Sequence, residues 1–270
     1  MGWGHTLSYI GFGCVLAMVC RGTEARADAS ASSAPNYSAG SIVQAADQTT
    51  GTLAPNAIAT LYGTNLSFTT HALASSDLQN GDLPLTLAGV TVVVNGIEAN
   101  LFYVSPGQIN FLIPYEITTS SATLYVNRQG ITGPAVTIQL AATAPAFFQW
   151  SGNLALAEHA SGALITPAAP ASPGEVIVLY AAGLGRTSPD VSSGFIVQSA
   201  APILYLSQLQ IFLNGTPCPS QDILYAGVTP GFAGLYQINL QLPPTLPPNP
   251  QIQLSIGTQT SPAAIQLPTQ

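Results

Sequence analysis

Pro55-Asn-Ala-Ile-Ala-Thr-Leu-Tyr62-Gly-Thr-Asn-Leu66 returns 118 residues later (55 to 173) as Pro173-Gly-Glu-Val-Ile-Val-Leu-Tyr180-Ala-Ala-Gly-Leu184. Three further blocks follow in the same order. Val92-Val-Val-Asn95-Gly96 returns as Ile211-Phe-Leu-Asn214-Gly215, an offset of 119 (95 to 214). Tyr103-Val-Ser-Pro106-Gly107-Gln-Ile109-Asn110 with Pro114 returns as Tyr225, Pro230-Gly231 and Ile238-Asn239 with Pro243, an offset of 129 (110 to 239). Val136-Thr-Ile-Gln-Leu140 returns as Ala263-Ala-Ile-Gln-Leu267, an offset of 127 (139 to 266). Four blocks at drifting offsets describe two copies of one unit with insertions in the loops. A solenoid rung repeats about every 20–50 residues, so a period this long is a whole domain.

The blocks themselves have strand character. Ile58–Tyr62, Gly89–Val94, Ile97–Val104, Ile109–Ile113, Ala122–Val126 and Ala135–Leu140 are short, rich in β-branched and aromatic residues, and bounded by Pro, Gly or Asn. Asn95-Gly96 between two such runs is a hairpin signal, since both central residues of a type I′ turn need positive φ. Asn214-Gly215 repeats it in the second copy. No window of a dozen residues carries an apolar 3.6-residue period with caps, so the expectation is all-β with almost no helix beyond the amino terminus. Many short strands with turn signals give two tandem sandwiches. Imperfect alternation in Val92–Val94 and Phe111–Ile113 fits strands covered on both faces or lying between the copies.

Composition restricts the function. Of 270 residues only 6% are charged, none is lysine, and the formal net charge is −7. Past residue 27 the fixed cations are Arg128 and Arg186, too few for a phosphate backbone or a polybasic membrane contact. Past residue 20 every apolar run is short and broken, so no spanning helix of about 20 residues is present in the body.

Leu7–Cys20 has the length of a signal-peptide core, and Ala25-Arg26-Ala27 supplies a small-x-small cleavage site before Asp28. Residues 1–27 read as a signal peptide. Arg21 on the far side of the core keeps an uncleaved anchor as the alternative. Cys20 suggests lipidation, although Val19 before it is bulky. Cleavage leaves Cys218 as the one cysteine, so packing rather than disulfides stabilises the chain.

The organisation expected is a disordered leader over 28–41, small and polar; a sandwich over 42–145; an inter-domain hairpin and Pro-rich linker over 146–172; and a second sandwich over 173–270. Within 146–172, residues 154–158 read as a strand whose return is Ala163–Ile165.

The motifs Pro55–Leu66, Val94–Pro114, Pro173–Gly185 and Tyr225–Pro243 resemble the C-terminal module common in exported proteins of Solibacter and other Acidobacteria, whose halves are similar to immunoglobulin-like TIG/IPT domains. The resemblance covers about residues 42–267. It implies two immunoglobulin-like sandwiches and an extracytoplasmic location, and it brings no catalytic residue.

Candidate chemistry is sparse. His71 and His159 could each act as a base toward a serine, with the Asp77/Asp82 loop orienting His71, but no Gly-x-Ser-x-Gly elbow is present. Asp77, Asn80 and Asp82 surround Gly81 with the oxygen donors calcium takes, without the spacing or closing Glu of an EF-hand. Against that stands an ordinary polar turn. Gly183-Leu-Gly185-Arg186 reads as a tight bend rather than a phosphate loop. Tyr62, Tyr103, Tyr180, Tyr225, Tyr236, Phe102, Phe111 and Phe232 recur at duplicated places, which suits core positions. Phe147, Phe148 and Trp150 lie outside the duplication and either cement the copies together or form a contact surface. The functional expectation is an exported, non-enzymatic spacer, adhesion or interaction module, with a carbohydrate-binding module as the alternative and a hydrolase as the less favoured one. No cofactor is expected. The partner is an extracytoplasmic protein or glycan, with no role for nucleic acid.

Overall fold

The computed structural model describes residues 33–270, so the signal-peptide reading of 1–27 and the first part of the leader lie outside the described residues. The described chain is all-β, with four single-turn 3-10 helices and no α-helix.

In the first half one sheet has the strand order Ile42–Gln44, Ile58–Tyr62, Gln108–Leu112, Leu101–Val104, His71–Ala72. The other has Thr52–Leu53, Val136–Leu140, Ser121–Arg128, Val90–Val94, Ile97–Ala99, with Ile131–Thr132 also on Ser121–Arg128. The second half repeats this. Val176–Ala182, Tyr236–Gln241, Ile223–Val228 and Ala201–Pro202 lie side by side in that order, and Leu209–Leu213 pairs with Ile252–Ile256 in the facing sheet. The Asn-Gly hairpins take the turn their sequence demands, with φ of 53° and 83° at Asn95-Gly96 and 49° and 76° at Asn214-Gly215.

Each half closes on its own core. Ala59, Leu61, Ile109 and Phe111 of one sheet meet Val90, Val92, Leu124 and Ile138 of the other. Ile177, Leu179, Ile238 and Leu240 meet Ile211, Leu213, Ile252 and Leu254 in the second half. A third apolar cluster draws on both: Ala45, Ile58, Phe102 and Leu112 from the first, and Phe148, Leu156, Tyr180, Ala182 and Leu235 from the second. This explains the strand patterns. Ser121–Arg128, with one face inward, alternates between buried and more exposed positions, whereas Gln108–Leu112 is buried at every residue.

Three expectations are corrected. Ile97–Val104 is not one strand: Ile97–Ala99 and Leu101–Val104 lie in different sheets. The chain crosses at Asn100, whose Nδ2 donates to Leu83 O at 2.7 Å. The leader 28–41 is not disordered over its described part. Asn36 and Thr64 exchange both backbone hydrogen bonds at 2.9 Å, and Tyr37 is buried in the first core. Its hydroxyl donates to Pro134 O and accepts from Val126 N–H, each at 2.7 Å. Arg128, fully buried, donates from its guanidinium to Asn65 O at 2.8 Å and Ser33 O at 2.5 Å, with the Phe68 ring 3.9 Å away.

The segment 146–172 is no linker either. Ala146–Phe147 and Ala157–His159 both pair with Val176–Ala182, and Ala171 N–H donates to Pro268 O at 3.0 Å. Ala155, Ala157, Ile165 and Ala171 are fully buried in the second core. The expected strand over 154–158 is instead two, Leu154–Ala155 and Ala157–His159, on different partners, and its return is a single bridge of Leu164 to Glu158, with Ile165 N–H on Ala157 O at 2.9 Å.

The last two corrections share one cause. The pairs Ala157↔Leu179 and His159↔Ile177 repeat Ile42↔Leu61 and Gln44↔Ala59, and Ala146↔Ala182 repeats Asn36↔Thr64. The duplicated unit therefore starts at about Asn36 and Ala146, well ahead of the first sequence match. Its first strand is interrupted in both halves, by the 3-10 turn Ala39–Ser41 in one and by a hairpin of Gln149–Ser151 and Leu154–Ala155 in the other.

Candidate functional site

The two histidines are each held by a carboxylate. His71 Nε2 lies 2.9 Å from Asp77 Oδ2, which also accepts Ala74 N–H at 2.7 Å. The hydrogen bond from His71, then that from Ala74, holds the Asp77 carboxyl below its ordinary range. The expected orienting of His71 by this loop is thus present. His159 Nδ1 lies 2.5 Å from Glu175 Oε1, with its Nε2 3.2 Å from Ala169 O. Among the described residues neither imidazole is hydrogen-bonded to a serine hydroxyl.

Asp77, Asn80 and Asp82 form no cage. Asp77 is committed to His71, while Asn80 and Gly81 (φ 56° and 89°) are the centre of a tight turn closed by mutual backbone hydrogen bonds of Gln79 and Asp82 at 3.0 Å. Among the described residues no group of three or more His, Cys, Asp or Glu side chains is placed to hold a metal ion. Gly183 and Gly185 (φ 73° and 85°) form the bend after Val176–Ala182, and Arg186 is paired with Asp190 rather than open to an anion.

The recurrent aromatics pack inside. Tyr236 and Phe111 are fully buried, Tyr180 and Phe102 are buried, and Tyr62, Tyr103, Tyr225 and Phe232 are half-buried. Phe147 and Phe148 are also buried, one in the second core and the next, on the opposite strand face, in the cluster between the halves. Neither is exposed: Phe148 packs between the halves, while Phe147 belongs to the core of the second half alone. Trp150, two residues on, is only half-buried.

Trp150 stands at the junction of the halves. The turn Ala45–Gln48 of the first half and Phe148–Gly152 of the second bound a groove of ≈ 190 Å³. Asp47 Oδ1 accepts Thr49 N–H at 3.1 Å and its hydroxyl at 2.8 Å, which fixes the carboxylate. Gln48 is fixed at both ends of its amide, donating to Ala45 O at 3.0 Å and accepting from Tyr62 Oη at 2.7 Å. The Trp150 indole Nε1–H is buried with no hydrogen-bond partner. A buried donor left unpaired costs about 1–3 kcal/mol, so its persistence asks for a reason. Sequence reasoning found Trp150 through its absence from the duplication but missed Asp47 and Gln48, which come to it only when the two halves meet.

The paired strands Ala157–His159 and Val176–Ala182 hold a buried polar pair. The Tyr180 hydroxyl donates to Glu158 Oε2 at 3.0 Å. Burial first, and then the carboxylate charge, pushes the phenol up, and burial also raises the Glu158 carboxyl.

No protein-family model matches the chain, and no curated protein matches it. Among solved structures, the chain is similar to a surface glycan-binding protein of Prevotella bryantii (15% identity, 88% of this chain and 43% of that one, TM-score 0.28). It is also similar to a mixed-linkage glucan utilization locus protein of Bacteroides ovatus, solved with a heptasaccharide (10% identity, 81% and 44%, TM-score 0.33). A third similarity is to domains 5–6 of the S-layer protein SbsC (11% identity, 87% and 99%, TM-score 0.26). The chain spans less than half the length of either glycan-related protein. At these TM-scores the likenesses say nothing about a ligand.

Proposed function

We propose that this chain is an extracytoplasmic, non-catalytic module in which two immunoglobulin-like sandwiches are fused into one stiff unit that spaces or presents interaction surfaces. The kinship with the exported Solibacter-type module belongs to this reading. The observation that carries it is the junction. An apolar cluster shared by both halves is closed by backbone hydrogen bonds that cross between them, Ala144 N–H to Gly183 O at 2.8 Å and Leu83 N–H to Gly194 O at 2.9 Å. Tandem domains with small polar contacts swing on their linker, whereas an apolar interface of this kind fixes their angle. No described helix is long and apolar enough to cross a membrane.

Two measurements test the reading. Expression of the full chain in a bacterial host, followed by fractionation and amino-terminal sequencing, should place it outside the cytoplasm with Asp28 at its terminus. Small-angle scattering should fit a single rigid particle. A chain retained in the cytoplasm, or a scattering profile that needs two independently moving bodies, would overturn it.

A further inference from the structure

Duplication accounts for the paired strands of both halves, but the hairpin Gln149–Ala155 stands where the first copy has the 3-10 turn Ala39–Ser41. The fold of a sandwich does not need it, since the first copy closes its core with the shorter connection. This added element sets Trp150 against the turn of the other half and so builds the groove lined by Asp47, Gln48, Gln149 and Ser151. We propose that this junction groove is a binding site for a neutral saccharide. The proposal rests on the extracytoplasmic-module reading above and gives that module its ligand class.

The lining chemistry selects the class. Trp150, half-buried on the groove lining, brings an indole, an apolar ring of the kind that stacks on the C–H face of a sugar. Around it stand a carboxylate, two amides and a hydroxyl, groups that accept from and donate to sugar hydroxyls. Asp47 Oδ2 takes no part in the two Thr49 bonds and remains an acceptor. The Trp150 N–H lacks an acceptor, which a ring turned slightly toward the groove would find in a hydroxyl or ring oxygen. Neither Lys nor Arg lines the groove, and Asp47 repels negative charge, so an anionic ligand is disfavoured. Asp47 and Gln48 are already fixed by Thr49, Ala45 and Tyr62, so binding orders little that is not ordered beforehand.

The full chain contains two tryptophans, Trp3 and Trp150, so the fluorescence difference between the protein and Trp150→Phe isolates the groove. Cellohexaose, xylohexaose and mannohexaose, with oligogalacturonate as the anionic control, are titrated by fluorescence and by calorimetry. One neutral hexaose should bind saturably and perturb Trp150. Trp150→Ala should weaken that binding roughly tenfold or more, and Asp47→Asn several-fold. Ser151→Trp, an exposed change at the groove rim, should obstruct binding with the fold intact, so the test survives if Trp150→Ala unfolds. Binding by none of the neutral hexaoses, preference for oligogalacturonate, or affinity unchanged in both Trp150→Ala and Ser151→Trp would overturn the site. Such a failure alongside rigid scattering and export would leave the module reading standing, whereas cytoplasmic retention strikes that reading alone.

Discussion

Gly183 and Ala144 meet where one sandwich is locked to the other: Ala144 N–H donates to Gly183 O at 2.8 Å, and the backbone of Ala144 fills the space a side chain on Gly183 would need. Gly183 also has φ of 73°, as does the exposed turn residue Gly215 at 76°, beside which nothing lies within 4 Å. The pair separates conformation from crowding. Gly215→Ala should lose about 1 kcal/mol from the left-handed backbone alone. Gly183→Ala should lose in addition about 1–3 kcal/mol as the junction is forced apart. Urea melts of the two variants check the difference, and equal losses would show that the junction yields without cost.

Tyr37 closes the first core with both functions of its hydroxyl, donating to Pro134 O and accepting from Val126 N–H. Tyr37→Phe keeps the ring but leaves a buried N–H and a carbonyl unpaired. A loss of about 1–3 kcal/mol is expected, together with faster amide exchange at Val126 than at neighbouring strand positions. An unchanged exchange rate at Val126 would mean the leader is not seated there in solution.

Glu158 is an acid whose folded pKa is raised by burial above its ordinary value of 4.5. Between the unfolded and the folded pKa the native state binds more protons than the unfolded one. Its contribution to stability is therefore complete below about pH 4.5 and lost as pH rises through the higher, folded value. Glu158→Gln retains an acceptor for the Tyr180 hydroxyl and removes the titration. The variant should be the more stable of the two at neutral pH, with the gap vanishing in acid. Thermal melts across pH 4–8 decide this, and a gap that widens in acid would contradict it.

Cys218 is buried, and burial, followed by the charge of Asp222, pushes its thiol up to about 11. At pH 8 the thiolate fraction is small and access is blocked, so the folded protein starting at Asp28, which lacks Cys14 and Cys20, should resist a thiol-reactive chromogenic disulfide for hours and react fully in denaturant. Rapid labelling of the native chain would place Cys218 at the surface.

Much of the fold was legible because duplication supplied two readings of each element. The paired Asn-Gly turns, the strands Ile58–Tyr62 and Val176–Ala182, and the doubly covered run through Phe111 follow from local turn chemistry and residue period. The first strand of each half was illegible for a physical reason. Around Asn36 and through Ala157–Ala171 the buried residues are few, Tyr37, Ala157, Glu158, Ile165 and Ala171 among them, and they are interspersed with exposed Ala, Ser and Pro. Small residues pack at close strand approaches and populate loose loops equally well, so composition cannot tell the two apart. Phe148 illustrates the same limit, because whether an apolar side chain is surface or cement depends on a partner face more than thirty residues away in sequence.

By itself the amino-acid sequence determined an acidic, lysine-free, all-β chain made of two copies, since those properties reside in composition, turn residues and repetition. Only the tertiary structure decided that the copies share an apolar junction and that Asp47, Gln48 and Trp150 stand around one groove. Contacts across about a hundred residues of sequence carry no local signature. They exist because two separate sheets each left an apolar face that water disfavours, and burying those faces together fixed which side chains became neighbours.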